Sequence, residues 1–345
     1  MRQPEPPRLA ASLASARISD VAADAAALES LGYRGLWVGE GRLRRDAVTA
    51  LTLAASATSN AYLSSGVVPF RTRNVTVLAI TWKSLYQLAP GRVRLGLGAW
   101  WEPIASKAGL HTARPLLAMR EVVTVLRALF AGDEVTLEGE YTRVNGIRFD
   151  GAEDEAGATY NVPLYMAAVG EHMLRLAGEI ADGVVLDFLV PPEYTAAAAA
   201  IVAQGRRAAP NTTSLDRPQL VACACDDRDP QAAVSAMKVA IARYLAQQTH
   251  VADHCGADPD LVKALRKRLT WPATTAELED AARMIPQDLV RSIAAVGRTS
   301  DVIDRLHQYL LAGATEVIVT PFGPRRHEAF ELIARKAGLR SGPRE

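Results

Sequence analysis

Short runs of consecutive apolar residues recur along the chain, and segments with apolar residues at helical spacing lie between them. The clearest example is the stretch PLYMAAVGEHMLRLAGEIADGVVLDF at residues 163–188. Its apolar runs at 164–169 and 184–186 are typical of strands that are covered on both faces. Gly170 ends the first run, and a helix with one apolar face follows from Glu171. The stretch therefore predicts a strand–helix–strand unit of a parallel sheet.

Six further runs of the same kind predict strands at residues 8–13, 35–39, 62–68, 92–98, 219–225 and 316–320. Eight buried strands separated by helices predict an α/β fold of the (β/α)8 TIM-barrel type rather than a doubly wound sheet. No GxGxxG pattern follows the first strand, which argues against a dinucleotide-binding fold. Residues 134–149 alternate between apolar and polar positions, as the strands of an edge hairpin do.

We expect one domain over residues 8–338, with a disordered lead-in over 1–7 and a tail over 339–345. The segment 227–297 is too long for a simple strand-to-helix connection, and its helical runs predict an insertion between the seventh and eighth strands. Insertions that follow barrel strands lie at the C-terminal rim, where ligands bind. We therefore expect this segment to form part of a pocket wall. The alternative is a packing element or the contact surface of a homodimer.

The composition and net charge indicate which kinds of molecule the protein binds. The apolar fraction of 49% is enough for a sizeable core, and the net charge of +1 favours neither nucleic acid nor an anionic membrane surface. The three cysteines, Cys223, Cys225 and Cys255, lack the spacing of a disulfide framework, which suits the reducing cytoplasm. No apolar run is long enough to span a bilayer, and the N-terminal residues lack the layout of a signal peptide. We expect a cytoplasmic protein that binds a small-molecule substrate.

The turn at Gly170 is the first candidate site. A glycine between a buried strand and a helix lets the main chain come close to a ligand, and it permits a positive φ. Free amides converge at the start of the helix, where the dipole contributes roughly half a positive charge. The turn therefore predicts an anion-binding site. The alternative is an ordinary crossover turn that binds nothing.

Four stretches in this order resemble the bacterial luciferase-like superfamily of flavin- and deazaflavin-dependent barrels. They are residues 31–40 (LGYRGLWVGE), 91–103 (GRVRLGLGAWWEP), 163–188 and 297–323 (GRTSDVIDRLHQYLLAGATEVIVTPFG). The stretch SSGVVPFRTRN at 64–74 is most similar to the branch that uses coenzyme F420, a deazaflavin, and that includes methylenetetrahydromethanopterin reductase. The resemblance implies hydride transfer between F420 and a carbon acceptor. Monooxygenases that use flavin mononucleotide (FMN) share the same scaffold and remain an alternative.

The resemblance also implies where the cofactor lies. The ring is expected across the barrel mouth, against a non-prolyl cis peptide between Gly66 and Val67. The residues implied to hold the phosphate-bearing side chain are Ala168, Val169, Gly170, Glu171 and His172.

The chain departs from the family pattern at two places. Many relatives have an acidic residue followed by histidine after the second strand, whereas this chain has Glu40 followed by Gly41. The common TRHP after the third strand reads TRNV at residues 72–75. The usual proton-handling histidine is therefore missing, and a non-catalytic ligand-binding barrel is a further alternative.

Two carboxyl groups are candidates for the proton chemistry. Glu40 ends the strand GLWVG, and a carboxyl group partly buried beside a ring would have its pKa raised and would donate a proton. The alternative for Glu40 is a salt bridge with Arg42, Arg44 or Arg45. Glu102 follows the fourth strand and is the second candidate acid, with a solvated loop carboxylate as the alternative.

Further residues are candidates for the substrate pocket. Trp100 and Trp101 are expected to line the pocket and stack on a ring, although packing beneath the long loop would equally explain them. Asp187 ends the sixth strand and is expected to face the pocket. Arg325 follows the eighth strand and is expected to meet an anionic substrate or cofactor tail, unless it is an exposed basic turn. His250 and His254 are four residues apart, but no fourth ligand pattern is visible, so we expect no metal.

Overall fold

The computed structural model describes residues 8–150, 159–209, 214–270 and 272–339. The expected lead-in over 1–7, and all but the first residue of the expected tail over 339–345, lie outside these ranges. None of the described helices is both long enough and apolar enough to span a bilayer.

The strands within the described ranges are β1 (Leu9–Ser12), β2 (Gly35–Val38), β3 (Tyr62–Ser65), β4 (Val68–Pro69), β5 (Val93–Gly98), β6 (Val135–Glu138), β7 (Arg143–Ile147), β8 (Leu164–Ala167), β9 (Gly183–Val185), β10 (Pro218–Cys225), β11 (Ala295–Gly297) and β12 (Glu316–Pro321). The helices are α1 (Val21–Ser30), α2 (Ala47–Ala57), α3 (Val75–Leu88), α4 (Ile104–Lys107), α5 (Pro115–Phe130), α6 (Glu171–Ile180), α7 (Pro192–Ala208), α8 (Pro230–Gln247), α9 (Thr249–His254), α10 (Pro259–Arg268), α11 (Thr275–Ala282), α12 (Gln287–Ile293), α13 (Thr299–Leu311) and α14 (Arg326–Ala337).

The main sheet is parallel, and its strands follow the order β11-β10-β12-β1-β2-β3-β5-β8-β9, with β4 also paired to β5. Two isolated parallel bridges, Gly183 to Asp216 and Leu186 to Gln219, join β9 to the chain at β10. The fold is thus an α/β fold with a curled parallel sheet of the TIM-barrel-like type, as the alternation of apolar runs and helices predicts. The strands β6 and β7 form a separate antiparallel pair, within the predicted hairpin region.

The strands are buried on both faces, which explains their unbroken apolar runs. One face packs against the surrounding helices, and the other forms an inner cluster made only of strand residues. The buried members of this inner cluster are Ala10, Trp37, Tyr62, Tyr165, Val185 and Ile318. Within it, the rings of Trp37 and Tyr165 meet edge to face, with 5.7 Å between their centroids. Large aromatic residues therefore fill the space that the curled sheet encloses.

A second buried cluster lies among helices α8 to α12, which follow β10 along the chain. It includes Ala222 and Ala224 of β10 together with Phe188 and Leu189, which follow β9. Because strand side chains alternate between faces, Ala222 and Ala224 share a face with Leu220, which packs against the inner cluster. These helices therefore pack at the end of the sheet where β9 and β10 terminate.

Candidate active site

The peptide bond between Gly66 and Val67 is cis, as predicted. The segment is tied to the end of β2, because the Glu40 amide donates to the Val67 carbonyl (3.1 Å) and the Gly66 amide donates to the Val38 carbonyl (2.8 Å). Any Cβ at position 66 would lie 2.9 Å from Cε3 of Trp37. Packing against the indole of Trp37 therefore requires glycine here, and Val67 packs against the inner cluster.

The turn between β8 and α6 is open on the side where a ligand would approach. Gly170 occupies the N-cap of α6 with φ −82° and ψ 156°, so the positive φ that glycine permits is not used here. This extended backbone is open to any residue, because no left-handed conformation is involved. A Cβ at Gly170 would have no atom within 4 Å, and no side chain caps the helix. The first amides of α6, those of Glu171 and His172 among them, thus lack intrahelical acceptors and fit an anion such as a phosphate group.

Tyr194 supports this turn from behind. Its hydroxyl donates a hydrogen bond to the Val169 carbonyl (2.7 Å), and its ring packs against the ring of His254 at a centroid distance of 4.9 Å. Helices α7 and α9 therefore hold the chain that leads into Gly170. No feature of the local sequence marks Tyr194 for this role.

Glu40 is held by a guanidinium group. Nη1 of Arg73 lies 2.9 Å from Oε1 of Glu40, and Nη2 lies 2.9 Å from Oε2. Oε2 also accepts the Ala47 amide at the start of α2 (3.1 Å), while Arg73 pairs with Asp46 as well. A bidentate guanidinium stabilises the ionised carboxylate, so Glu40 is bound as an acceptor in this arrangement.

The salt-bridge alternative for Glu40 named the wrong arginines. The partner is Arg73, which follows β4, and not Arg42, Arg44 or Arg45. The reason is topological, since β2 and β3 are neighbours in the sheet and their continuations meet at the same edge.

Glu102 is exposed and is satisfied by its own loop. It accepts hydrogen bonds from the Ser106 amide (3.2 Å) and from the Thr112 hydroxyl (3.0 Å). Hydrogen bonding from Ser106 lowers the pKa of Glu102, so the carboxyl group is charged at neutral pH. Its surroundings match those of a solvated loop carboxylate.

Asp187 has the opposite environment. It lies two residues beyond Val185, which ends β9 and belongs to the inner cluster. Its Oδ1 accepts the Phe188 amide (2.8 Å) and lies 3.8 Å from Nε2 of His250, whereas its Oδ2 is buried and has no hydrogen-bond partner in the described parts of the chain. Burial raises the pKa of Asp187 to about 7, and it lowers the pKa of His250. Of the three carboxyl groups of Asp187, Glu40 and Glu102, this one has the surroundings that favour the protonated form.

Aromatic side chains gather near Asp187. The ring of Phe188 lies 5.1 Å from that of Tyr244 in α8 and 6.0 Å from that of Phe322 after β12. Tyr244 also contacts the guanidinium of Arg42, whose Cζ lies 4.9 Å from the tyrosine ring and 5.0 Å from that of Trp101. Trp101 thus lies at this end of the sheet in contact with Arg42.

The remaining candidates are Trp100, Arg325 and the two histidines, and their surroundings differ. Trp100 has a backbone φ of 66°, and its Nε1 is buried without a hydrogen-bond partner in the described part of the chain. Arg325 is bound by Asp226 (2.7 Å) and by Glu328 (2.7 Å), so its guanidinium is already paired with two carboxylates. His250 and His254 have the separate partners Asp187 and Tyr194.

The curled parallel sheet, the uncapped start of α6 and the cis peptide after β3 are the features that the luciferase-like resemblance implies. The family model of luciferase-like monooxygenases matches residues 5–316, and the chain belongs to this family. The resemblance stated from the four sequence stretches is thereby confirmed.

The chain is similar to individual proteins of this family over most of its length. The chain is 28% identical to 5,10-methylenetetrahydromethanopterin reductase from Methanolobus tindarius over 319 residues, which are 89% of this chain and 92% of that protein. Among solved structures it is similar to the coenzyme F420-dependent tetrahydromethanopterin reductase from Methanopyrus kandleri, with a TM-score of 0.84, 24% identity and coverage of 95% and 97% of the two chains. An F420-dependent secondary alcohol dehydrogenase, solved with an F420–acetone adduct, has a TM-score of 0.76, 18% identity and the same coverage.

Proposed function

We propose that this protein is an F420-dependent oxidoreductase that transfers hydride between the deazaflavin and a small-molecule carbon acceptor. The observation that carries the proposal is the open, uncapped start of α6 at Gly170, because a phosphate group fits there without displacing any side chain. The similarity to F420-dependent enzymes supports the choice of F420. When bound, the deazaflavin supplies the hydride at its C5 position.

The cofactor is held at two places in this proposal. Ala168, Val169 and Gly170, with the amides of Glu171 and His172, bind the phosphate group. Gly66 and Val67 contact the ring, since they lie at the C-terminal end of β3 and Val67 packs onto the inner cluster.

We assign the proton chemistry to Asp187 in preference to Glu40 or Glu102. Asp187 acts electrostatically on Tyr194, whose hydroxyl donates a hydrogen bond to the Val169 carbonyl. Asp187 therefore lies near the turn that is proposed to bind the phosphate group. Burial keeps a large fraction of its carboxyl groups protonated near neutral pH, which is the state a general acid needs. Glu40 and Arg73 instead hold the loop between β2 and α2 in place.

The segment 227–297 is proposed as the insertion that closes one side of the pocket. Its contribution comes from Tyr244, which contacts Phe188 and Arg42, and from His250, which contacts Asp187. Trp100 and Trp101 would complete the wall from the opposite side. Arg325 is proposed as a substrate contact in which an anionic group of the substrate displaces Asp226 and Glu328.

The test is a direct comparison of cofactors. Purified protein is titrated with F420 and, separately, with FMN, and binding is followed by the absorbance of each cofactor. We expect saturable binding of F420 and at least about tenfold weaker binding of FMN, which corresponds to about 1.4 kcal/mol. Preference for FMN would favour the monooxygenase alternative, and binding of neither cofactor would favour a non-catalytic barrel.

A further inference from the structure

Arg42 is clamped between two aromatic rings at the C-terminal end of the sheet. Its Cζ lies 5.0 Å from the ring centroid of Trp101 and 4.9 Å from that of Tyr244. Its Nη1 donates a hydrogen bond to Oε1 of Gln247, and Nε2 of Gln247 donates in turn to the Thr270 carbonyl (2.8 Å). Three separate segments of the chain therefore fix the position of one guanidinium group.

The charge of this guanidinium has no counter-ion. No carboxylate in the described residues lies within salt-bridge distance of Arg42, and the nearest acidic side chain along the sequence, Glu40, is bound by Arg73. Burial lowers the pKa of Arg42, and the positive charges of Arg243 and Arg44 lower it further. The Tyr244 phenol is the group that opposes this shift, and a phenol is neutral at pH 7. Arginine nevertheless stays protonated at that pH, so the site holds an uncompensated positive charge.

One donor of Arg42 is also unused. Nη2 is buried and makes no hydrogen bond that meets distance and angle criteria in the described parts of the chain, although the nearby Tyr244 hydroxyl acts on the guanidinium and raises the pKa of Arg42. A buried donor on a charged group is unfavourable without a full partner, and an anionic acceptor would supply one. The backbone of Arg42 has φ 56°, a conformation uncommon for residues other than glycine. The positive charge of Arg42, its Nη2 donor and its place at the C-terminal end of the sheet together favour the binding of an oxyanion.

This oxyanion is distinct from the phosphate group assigned to the start of α6. Arg42 follows β2, whereas Gly170 follows β8, and strands β3 and β5 lie between these two strands in the sheet. Trp101 and Tyr244, which flank Arg42, belong to the proposed walls of the substrate pocket.

We propose, resting on the proposed function, that Arg42 binds a carboxylate or phosphate group of the acceptor substrate through Nη2. The acceptor is then an anionic small molecule, held by a guanidinium whose orientation Trp101, Tyr244 and Gln247 determine. Charge pairing in this dry, aromatic surrounding selects anionic acceptors over neutral ones of the same shape.

The first experiment needs neither cofactor nor turnover. Thermal unfolding is followed with increasing sodium benzoate, a carboxylate probe, and sodium chloride serves at matched ionic strength as the screening control. Inorganic phosphate is not used, because the start of α6 is itself proposed to bind phosphate. We expect a saturable rise of Tm in the wild type with benzoate, because an anion that binds only the folded state stabilises it. Arg42→Met keeps the unbranched aliphatic part of the side chain without its charge and is expected to lose this rise. Arg335→Gln, the matched control at an exposed arginine in α14, is expected to keep it.

The outcomes separate this proposal from the assignment of F420. Absence of a saturable rise in the wild type, or its persistence in Arg42→Met, overturns the anion site. If Arg42→Met does not fold, Arg42→Lys decides, and we expect a Kd for the probe anion about tenfold higher, since lysine lacks the planar fork. F420 titration of the same variant distinguishes the source of the anion. Affinity within about threefold of wild type supports the acceptor, whereas a loss of about tenfold or more assigns the oxyanion to the cofactor and overturns the proposal. Failure of the wild type to bind F420 would refute the proposed function while the Tm measurement still reports on Arg42.

Discussion

Arg73 binds both carboxylate oxygens of Glu40, at 2.9 Å each, and so joins the loops that follow β2 and β4. Both side chains are largely buried, with 17% of Arg73 and 18% of Glu40 exposed. The pair anchors the edge of the sheet beside the cis peptide at Gly66. Glu40, which lacks the histidine that follows the acidic residue in many relatives, is therefore engaged in holding these two loops together.

Replacement of Glu40 by glutamine is expected to affect stability more than chemistry. Glu40→Gln breaks the bidentate pair and should lower the free energy of unfolding by about 1–2 kcal/mol, while Asp46 still pairs with Arg73. A double-mutant cycle with Arg73→Met, read by chemical denaturation, measures the coupling between the two side chains. Hydride transfer in a single turnover should stay within about tenfold of wild type, because general acid catalysis would be worth about a hundredfold or more. A larger loss would restore Glu40 as the acid.

The stability of the protein should fall with rising pH because of Asp187. Its folded pKa of about 7 exceeds the ordinary value of 3.8, so the stabilising contribution of the neutral carboxyl group is complete below about pH 4. That contribution is lost progressively up to about pH 7. Relative to wild type, Asp187→Asn should therefore gain roughly 2–4 kcal/mol between these limits and no more at higher pH.

Denaturant unfolding at several pH values measures this difference directly. Asp226→Asn is the control of opposite sign, since hydrogen bonds that its carboxylate accepts from the amides of Asp229 and Arg228 lower the pKa of Asp226. Its carboxylate stabilises the fold above the ordinary pKa, and this contribution is lost as the pH falls. A pH-independent difference between Asp187→Asn and wild type would show that Asp187 ionises normally.

The rate of acceptor reduction should follow the protonation of Asp187. A general acid must be protonated, so single-turnover reduction by reduced F420 should slow as the pH rises through about 7. Asp187→Asn should lose this pH dependence and fall by about a hundredfold or more at pH 6. Groups that surround the carboxyl group include His250, Tyr194 and Cys255, and Nε2 of His250 lies 3.8 Å from Oδ1 of Asp187. His250→Gln is therefore expected to shift the midpoint of the profile without abolishing it. An unchanged profile in Asp187→Asn would exclude Asp187 as the proton donor.

Gly170→Asp is expected to raise the stability of the protein while it weakens cofactor binding. The backbone at Gly170 is extended, with φ −82°, and aspartate at this N-cap can accept the free amides of α6. We expect a gain of about 0.5–1 kcal/mol in the free energy of unfolding, because the variant supplies the missing cap. F420 affinity should fall by at least about a hundredfold, since the carboxylate occupies the phosphate position and repels it.

Gly170→Ala provides the matched control for this variant. It adds only a Cβ in open space, so we expect a much smaller change in affinity. Unaltered F420 binding by Gly170→Asp would place the phosphate group elsewhere.

Loss of the Tyr194 hydroxyl should weaken cofactor binding at the turn between β8 and α6. Tyr194→Phe removes the hydrogen bond to the Val169 carbonyl and is expected to reduce F420 affinity by roughly threefold to tenfold. Tyr309→Phe is the matched control, because its hydroxyl donates in the same way to the Val190 carbonyl (2.6 Å). Both variants should lose similar stability in thermal unfolding, and only Tyr194→Phe should bind F420 less tightly. Equal affinities would mean that the turn needs no support from α7.

The sequence by itself determined most of the buried strands and their order, although it missed β11 (Ala295–Gly297), which lies within the segment predicted as a helical insertion. Continuous apolar runs such as 164–169 identify strands, because a strand covered on both faces is mostly apolar on both. Helix periodicity and the glycine at position 170 likewise located the start of α6 and its free amides. The family resemblance further identified the cis peptide at Gly66. These features depend on neighbouring residues or on a recognisable motif.

Only the tertiary structure decided which side chains meet. Glu40 pairs with Arg73 rather than with the closer Arg42, because parallel strands bring their C-terminal ends to one edge regardless of distance along the chain. Burial of Asp187 under α9, and not the residue itself, raises its pKa. The clamp of Trp101 and Tyr244 on Arg42 joins segments that no local pattern relates. Ionisation and charge pairing depend on desolvation and on partners in space, and these arise only when the sheet curls and the helices pack against it.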